Sequence, residues 1–494
     1  MRDLLTDPLW QAEDLGKPIP DSEHAVSVAL PLWEHVVGYE EKDPAVIEAM
    51  WCGYPRFVIH PYVQELMRAC ADRFAGEQDV CVPFPSKAAA GRCQQCLAKR
   101  EGRTGRIEPF DHSGIWVVTI AQELLEAAHE YRRYSGEIVS SRYARAALDG
   151  RAPDPSGEQA ALTVKHRIAE LTGQQADDVY LFPSGMAANF HLHRMLDTIH
   201  PDCMSIQMGF PYVDVLRVQR VFGCGAHFYP MLEASEIDAL ERLLDKEKIS
   251  GVFTEFPNNT RLRCTDVNHL SEMLRRYGTP LIVDETIGSF YNIDVLRHAD
   301  AAFTSLTKYF GGQGDIMAGS AVLNRESPHY AAFKAYLDQH YVNDLFADDA
   351  VALEENSRDF CRRMEKINRT AEAIFAYLQR HPLVDQVYYP LNQTPDCFAQ
   401  LMRPGRGYGG LITLLLKQPE VNAPRFYDAL RVNKGPTLGT NYTLACPYTL
   451  LAHYEELAWA EQCGISRYLI RLSVGLEDGD DLVRRLQCAF DMIS

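Results

Sequence analysis

The chain predicts an α/β fold: a large, mainly parallel sheet, a smaller C-terminal α/β domain and an N-terminal extension. Between Thr163 and Leu323, short apolar runs such as DDVYLF, ISGVFTEF and TPLIVD alternate with amphipathic stretches of helical length. That rhythm builds a parallel sheet with helices on both faces and places a site at the carboxyl ends of the strands. After Glu326 the text turns to long helices, Tyr330 to Gln339 and a charged pattern from Asp348 to Gln379; strands near Tyr408 to Leu416 and Arg467 to Val474 follow. The opening GKPIPDSEHAVSVALPLW is proline-rich and reads as an extended arm. The expected divisions are an extension over 1–130, a large domain over 131–326 and a small domain over 327–494.

Within the extension, helical patterns run over Pro61 to Ala75 and Lys87 to Arg100, the second ending in the basic stretch KREGRTGR, which reads as a solvated loop. Ala121 to Leu148 reads as a helix, a break at Gly136 and a second helix start. LACPYTLLAHYEE near the C-terminus reads as a helix with a packing role.

Composition narrows the function. The 494 residues carry a net charge of -18, which argues against nucleic acid or an anionic membrane as partner. No apolar run reaches the roughly 18 residues a membrane helix needs, and MRDLLTDPLW lacks a signal peptide's apolar stretch, so a cytoplasmic protein is expected. Thirteen cysteines in a long chain suit a reducing compartment. Cys93 and Cys96 form a CxxC without a second ligand pair at zinc spacing, so no metal is expected.

The chemistry centres on AFTSLTKYFGGQGDIMAGSAVL. Lys308 stands between the hydroxyls of Ser305 and Thr307 and a glycine-rich turn. A lysine taken out of water loses its charge readily and becomes nucleophilic. Twenty-four residues upstream, TPLIVDETIGS runs an apolar strand into Asp284. An aspartate at the end of such a strand suits the pyridinium nitrogen of pyridoxal phosphate, and a lysine can hold that cofactor's aldehyde. A third element, DDVYLFPSGMAANFHLHRML, reads strand, turn, helix; Ser184, Gly185 and Met186 sit where a helix N-terminus receives a phosphate. An arginine on the apolar strand of RLSVGLED, Arg471, is costly unless it meets an anion, and its fork fits an α-carboxylate.

VDET and SLTKYFGGQGDIMAG resemble the VDNT and SATKY-x-x-GHxD signatures of the Cys/Met-metabolism pyridoxal phosphate enzymes, which have the aspartate aminotransferase-like fold type I with a seven-stranded sheet. GKPIPDSEHAVSVALPLWEHVVGYEE, YPRFVIHPYVQEL and KGPTLGTNYTLACPYTLLAHY are similar to the long fungal-type cystathionine γ-synthases. The resemblance implies further roles. A Tyr-Ser-Arg segment that reaches the neighbouring subunit's cofactor phosphate matches Ser141 and Arg142, with Ser140 in the tyrosine's place; Arg132, Arg133 and Arg145 read as surface charges. Phe210 takes the place of the ring-stacking tyrosine, with Tyr212 close by. Asn258 or Asn259 can donate to the cofactor's phenolate oxygen, and Ser305 and Thr307 are counted as cofactor contacts. Thr437, in place of a serine in the substrate loop, is expected to meet the substrate, with Pro436 and Tyr442 departing from the usual glutamates.

Together these imply γ-replacement on an O-acylhomoserine by a thiol, most simply cysteine, to give cystathionine. A carbon–sulfur lyase, or replacement by an unusual nucleophile in a specialised pathway, shares the early steps; a non-catalytic binding protein would have no need of the three costly charged groups. The expected partners are small amino-acid substrates and further copies of the chain, as a dimer of dimers.

Overall fold

The computed structural model describes residues 2–493. The arm begins with the antiparallel pair β1 (Pro18–Ile19) and β2 (Ser27–Val28), then α1 (Trp33–Glu40). Its apolar residues Val28, Leu30, Val36 and Val46 are buried in the core of the C-terminal domain, with Phe426, Tyr427, Leu472 and Phe490. Lys434 fastens it there: the buried ammonium donates to the carbonyls of Pro31 at 2.8 Å and Asp428 at 3.1 Å. The arm also touches the lysine turn, where Val26 N–H donates to Gly314 O at 2.9 Å.

Residues 61–135 form a separate layer. It comprises α2 (Pro61–Phe74), β3 (Asp79–Phe84), α3 (Lys87–Glu101), β4 (Arg106–Pro109), β5 (Trp116–Ala121) and α4 (Leu125–Ser135), the strands making an antiparallel sheet in the order β3-β5-β4. Ser86 caps α3 by accepting from Ala89 N–H, and Gly136 ends α4 at a φ of 68°.

The large sheet follows: β6 (Val179–Phe182), β7 (Ser205–Met208), β8 (Ala226–Tyr229), β9 (Val252–Glu255), β10 (Leu281–Asp284), β11 (Ala301–Ser305) and β12 (Gly319–Leu323). Its order is β6-β12-β11-β10-β9-β7-β8, parallel except for β12, which runs antiparallel to both neighbours. Period-two alternation buries both faces: Val179, Leu181, Val283 and Ala302 face one core, Tyr180, Phe182, Ile282 and Phe303 the other. The seven-stranded α/β architecture expected from the sequence is therefore present.

The charged pattern over 348–379 is two helices, Ala347–Asn356 and Phe360–Arg380. The small domain's sheet contains β13 (Val384–Tyr388), β14 (Leu411–Leu416), β15 (Asn433–Lys434), β16 (Leu444–Cys446) and β17 (Ile470–Ser473), in the order β13-β14-β17-β16-β15. LACPYTLLAHYEE is not one helix. Leu444–Cys446 is β16; Pro447, lacking an N–H, ends the ladder, and only α5 (Tyr448–Ala452) is α-helical there. No helix among the described residues is long and apolar enough to cross a membrane.

Candidate active site

The carboxyl ends of the parallel strands open into a cavity of about 480 Å³, in the range of small-molecule sites. Asp284 ends β10 and lies in register with Glu255 at the end of β9. Burial pushes both carboxyls up, and the Asp284 charge raises Glu255 further, while hydrogen bonds from Thr286 draw Asp284 back toward ionisation. A cation placed beside Asp284 would hold it ionised. Glu255 also accepts from the backbone N–H groups of Tyr212 and Asn259, so it ties two cavity loops together.

Lys308 follows β11 and projects into this space. Its Nζ donates to Thr437 Oγ1 at 2.9 Å and lies 4.4 Å from the ring centre of Tyr54. Burial, then the nearby charges of Arg471 and Arg56, hold its pKa well below the ordinary lysine value, and among the described residues it has no carboxylate partner. The amine is therefore available as a nucleophile and base. Gly439, at a φ of 70°, lets the loop carrying Thr437 come this close; a Cβ there would lie 3.0 Å from Lys308 Cβ and 2.7 Å from Tyr309 N.

Arg471 is buried on β17. It donates to Asn259 Oδ1 at 3.0 Å and to the carbonyls of Pro436 and Thr437 at 2.9 and 3.2 Å, and its guanidinium stands 4.4 Å from the Tyr448 ring centre. Among the described residues no carboxylate pairs with it, which leaves its charge for a ligand.

At the other end of the cavity stands α6 (Gly185–Ile199). Ser184 precedes the helix Gly185–Ile199, accepts from Ala187 N–H at 3.0 Å and donates to Gly136 O at 2.8 Å. Gly185 and Met186 line the cavity at this helix's first turn, whose amides have no partner within a helix. A Cβ on Gly185 would lie 2.7 Å from Ser305 Cβ, so glycine is what allows the helix end to meet β11. The arm brings Tyr54 and Arg56 here. Arg56 donates to Asp214 Oδ2 at 2.7 Å and to the Tyr212 hydroxyl at 2.6 Å. Arg133 holds Asp214 from the other side at 3.0 Å.

Lys308, Asp284, Gly185, Met186, Tyr212, Ser305 and Arg471 all line the cavity. Ser184 supports it as a cap, and Thr437 touches Lys308 from behind. Other expectations need correction. Phe210 faces away, packed against His453 and Trp459 at 5.0 and 5.1 Å between ring centres; Tyr212 is the aromatic on the cavity. Asn258 spends its carbonyl on Arg261 N–H, and Asn259 is the cavity asparagine, its Oδ1 turned to Arg471. Thr307 bonds Ala318 N–H at 3.0 Å and braces the turn. Arg142, expected at a neighbouring subunit's phosphate, lies outside its own chain's cavity, as that expectation requires, and pairs with Asp315 at 2.9 Å and Asp349 at 3.3 Å. Arg132 and Arg133 are not surface charges: Arg132 is buried and donates to Pro55 O, and Arg133 lines the cavity. Sequence reasoning missed Tyr54, Arg56, Tyr448 and His453. An arginine between aromatics and prolines, in YPRF, was the available signal for the first two.

An α/β sheet with a lysine, a strand-end aspartate and a carboxylate-ready arginine at its carboxyl edge is the site of a pyridoxal phosphate enzyme. The chain belongs to the Cys/Met metabolism PLP-dependent enzyme family, whose model matches residues 155–491, and residues 62–140 match the N-terminal domain of fungal trans-sulfuration enzymes. It is 34% identical to cystathionine gamma-synthase of Neurospora crassa, over 95% of this chain and 97% of that protein. It is 32% identical to the cystathionine gamma-synthase-like enzyme iboG2 of Amanita muscaria, over 96% of each. Among solved structures it resembles cystathionine gamma-lyase of Lactobacillus plantarum, at 25% identity and a TM-score of 0.59, covering 69% of this chain and 87% of that one. The cofactor is pyridoxal phosphate. The residues present fit it: a low-pKa amine for the aldehyde, Asp284 for the ring nitrogen, and the Gly185 helix end with Tyr54 and Arg56 for the phosphate.

Proposed function

We propose that the enzyme performs γ-replacement: the Cγ–O bond of an O-acylhomoserine breaks, the acyl group leaves as a carboxylate, and a thiol gives up its proton and forms the new Cγ–S bond. The observation that carries the reading is the placement of Lys308 in one cavity with Asp284 and Arg471, backed by near full-length similarity to a cystathionine gamma-synthase. Bound cofactor supplies the electron sink that stabilises carbanions at Cα and Cβ. Arg471, its planar fork oriented by Asn259, holds the substrate's α-carboxylate and so fixes the Cα–H bond. The Lys308 amine takes the Cα proton and returns protons at the carbons that follow, with the Thr437 hydroxyl orienting Nζ. Asp284 keeps a positive ring nitrogen charged.

Purified enzyme given O-acetylhomoserine or O-succinylhomoserine with cysteine is expected to form cystathionine, measured by mass spectrometry. Keto acid release without thiol, and no cystathionine with it, would establish a lyase instead. In the same reading the chain works as a homo-oligomer, a dimer of dimers, in the cytoplasm, and Arg56 takes the phosphate role expected of Arg142. Arg56→Ala should then weaken cofactor binding about ten- to a hundredfold, the worth of a charge-assisted hydrogen bond. Arg142→Ala should change it little. Equilibrium dialysis against pyridoxal phosphate decides, and the reverse pattern returns the role to Arg142.

A further inference from the structure

The cavity extends from Lys308 to a rim made by the end of α1 and the segment after α5, where Glu40, Lys42, Glu455 and Glu456 lie. Several charges around it are already matched, and Glu455, unpaired among the described residues, is exposed to water. Glu456 is held by Arg217 at 2.8 Å and His453 Nδ1 at 2.9 Å, and Glu41 accepts from the Tyr454 hydroxyl at 2.5 Å. Arg133 is bound to Asp214, and the Lys42 ammonium sits 5.5 Å from the Tyr39 ring centre. Glu40 differs: half-buried on the cavity wall, its carboxylate has no hydrogen bond or ion pair among the described residues. Burial pushes its carboxyl up to about 7 against the pull of Lys42 and Arg133, a cost that an arriving cation would relieve.

Two polar atoms in the same wall point to a ligand independently. The Tyr448 hydroxyl and His453 Nε2 are buried without hydrogen-bond partners, in residues that line the cavity with ring centres 6.1 Å apart. An unmatched buried polar group costs free energy until a partner arrives. A rim carrying an unpaired carboxylate, an unfilled hydroxyl and an unfilled imidazole nitrogen is matched to an ammonium beside a polar group, which is the head of an amino acid. Sulfide or a simple alkane thiol would leave all three groups unused.

We propose that Glu40 is a specificity-determining residue that receives the ammonium of the sulfur-bearing amino acid, with His453 Nε2, an acceptor once Nδ1–H is given to Glu456, beside that ammonium and the Tyr448 hydroxyl donating to the carboxylate end. The assignment rests on the replacement reading above and names the residue by which the site tells a thiol that carries an ammonium from one that does not.

The test compares cysteine with 3-mercaptopropionate, which has the same thiol and carboxylate but no ammonium, in the holoenzyme with O-acetylhomoserine. Wild type should favour cysteine in kcat/KM by at least about tenfold, and Glu40→Gln should bring the two within about threefold, chiefly through a higher KM for cysteine. Glu40→Asp should restore part of the preference. A cysteine preference left intact in Glu40→Gln overturns the subsite while the thioether product upholds replacement. If wild type forms no thioether with either thiol, replacement falls. The subsite is then read from cystathionine, by KM or, without turnover, by dissociation constant: a rise in Glu40→Gln upholds it, and no change overturns it.

Discussion

Lys308→Ala is expected to lower turnover by at least about a thousandfold, because one amine serves both as base and as acid and each such role is worth about a hundred- to ten-thousandfold. Folding should not be the cause. The wild-type amine is desolvated beside Arg471 and Arg56, so its removal takes away a buried group that costs stability. The variant should therefore melt no lower than wild-type apoenzyme in a thermal scan. Added methylamine, small enough for the space vacated, should recover part of the activity. Borohydride reduction of the wild-type holoenzyme followed by peptide mapping should mark Lys308. Label on another lysine, or a variant that keeps near-normal turnover, would remove Lys308 from the centre of the mechanism.

Arg471→Lys should raise KM for the amino-acid substrate and lower catalytic efficiency by about ten- to a hundredfold, the roughly 1.5–3 kcal/mol of a charge-assisted hydrogen bond. Charge is conserved, so what is lost is shape. In the wild type one terminal nitrogen is directed by Asn259 Oδ1 and the other by the carbonyls of Pro436 and Thr437, with the plane against Tyr448. Lysine offers one ammonium with no plane to orient, so the α-carboxylate binds without a fixed angle between Cα–H and the amine that removes the proton. Cofactor affinity, measured by dialysis, should hardly move. A variant that loses cofactor while keeping substrate affinity would place Arg471 at the phosphate.

What the sequence disclosed about this site follows from local contrast. Lys308, Asp284 and Arg471 are charged residues inside or at the end of apolar strands, where burial can be read from their neighbours. The parallel sheet was legible for the same reason. Tyr54 and Arg56 lie in a loop, whose destination depends on contacts such as Lys434 with Pro31 that no short window contains. Phe210 and Tyr212 were both open as the cavity aromatic, because Gly209, at a φ of 77°, turns the chain just before them and spacing could not say which ring faces inward. Asn258 and Asn259 posed the same problem one residue apart. The segment from Leu444 to Glu456 has helical spacing throughout, and only Pro447 marks where strand gives way to helix.

The bond from Lys434 to Pro31 closes a loop of 403 positions, and the cavity it steadies takes walls from both ends of the chain. During synthesis, therefore, the lysine and aspartate leave the ribosome long before the arginine strand that completes the pocket. Loop closure of this length comes late in folding, since its entropy must be met before the contacts repay it. A chain that stops before residue 437 therefore lacks both the loop that meets Lys308 and the arginine strand, so the walls that keep water from the amine are assembled only when the C-terminal strands are in place.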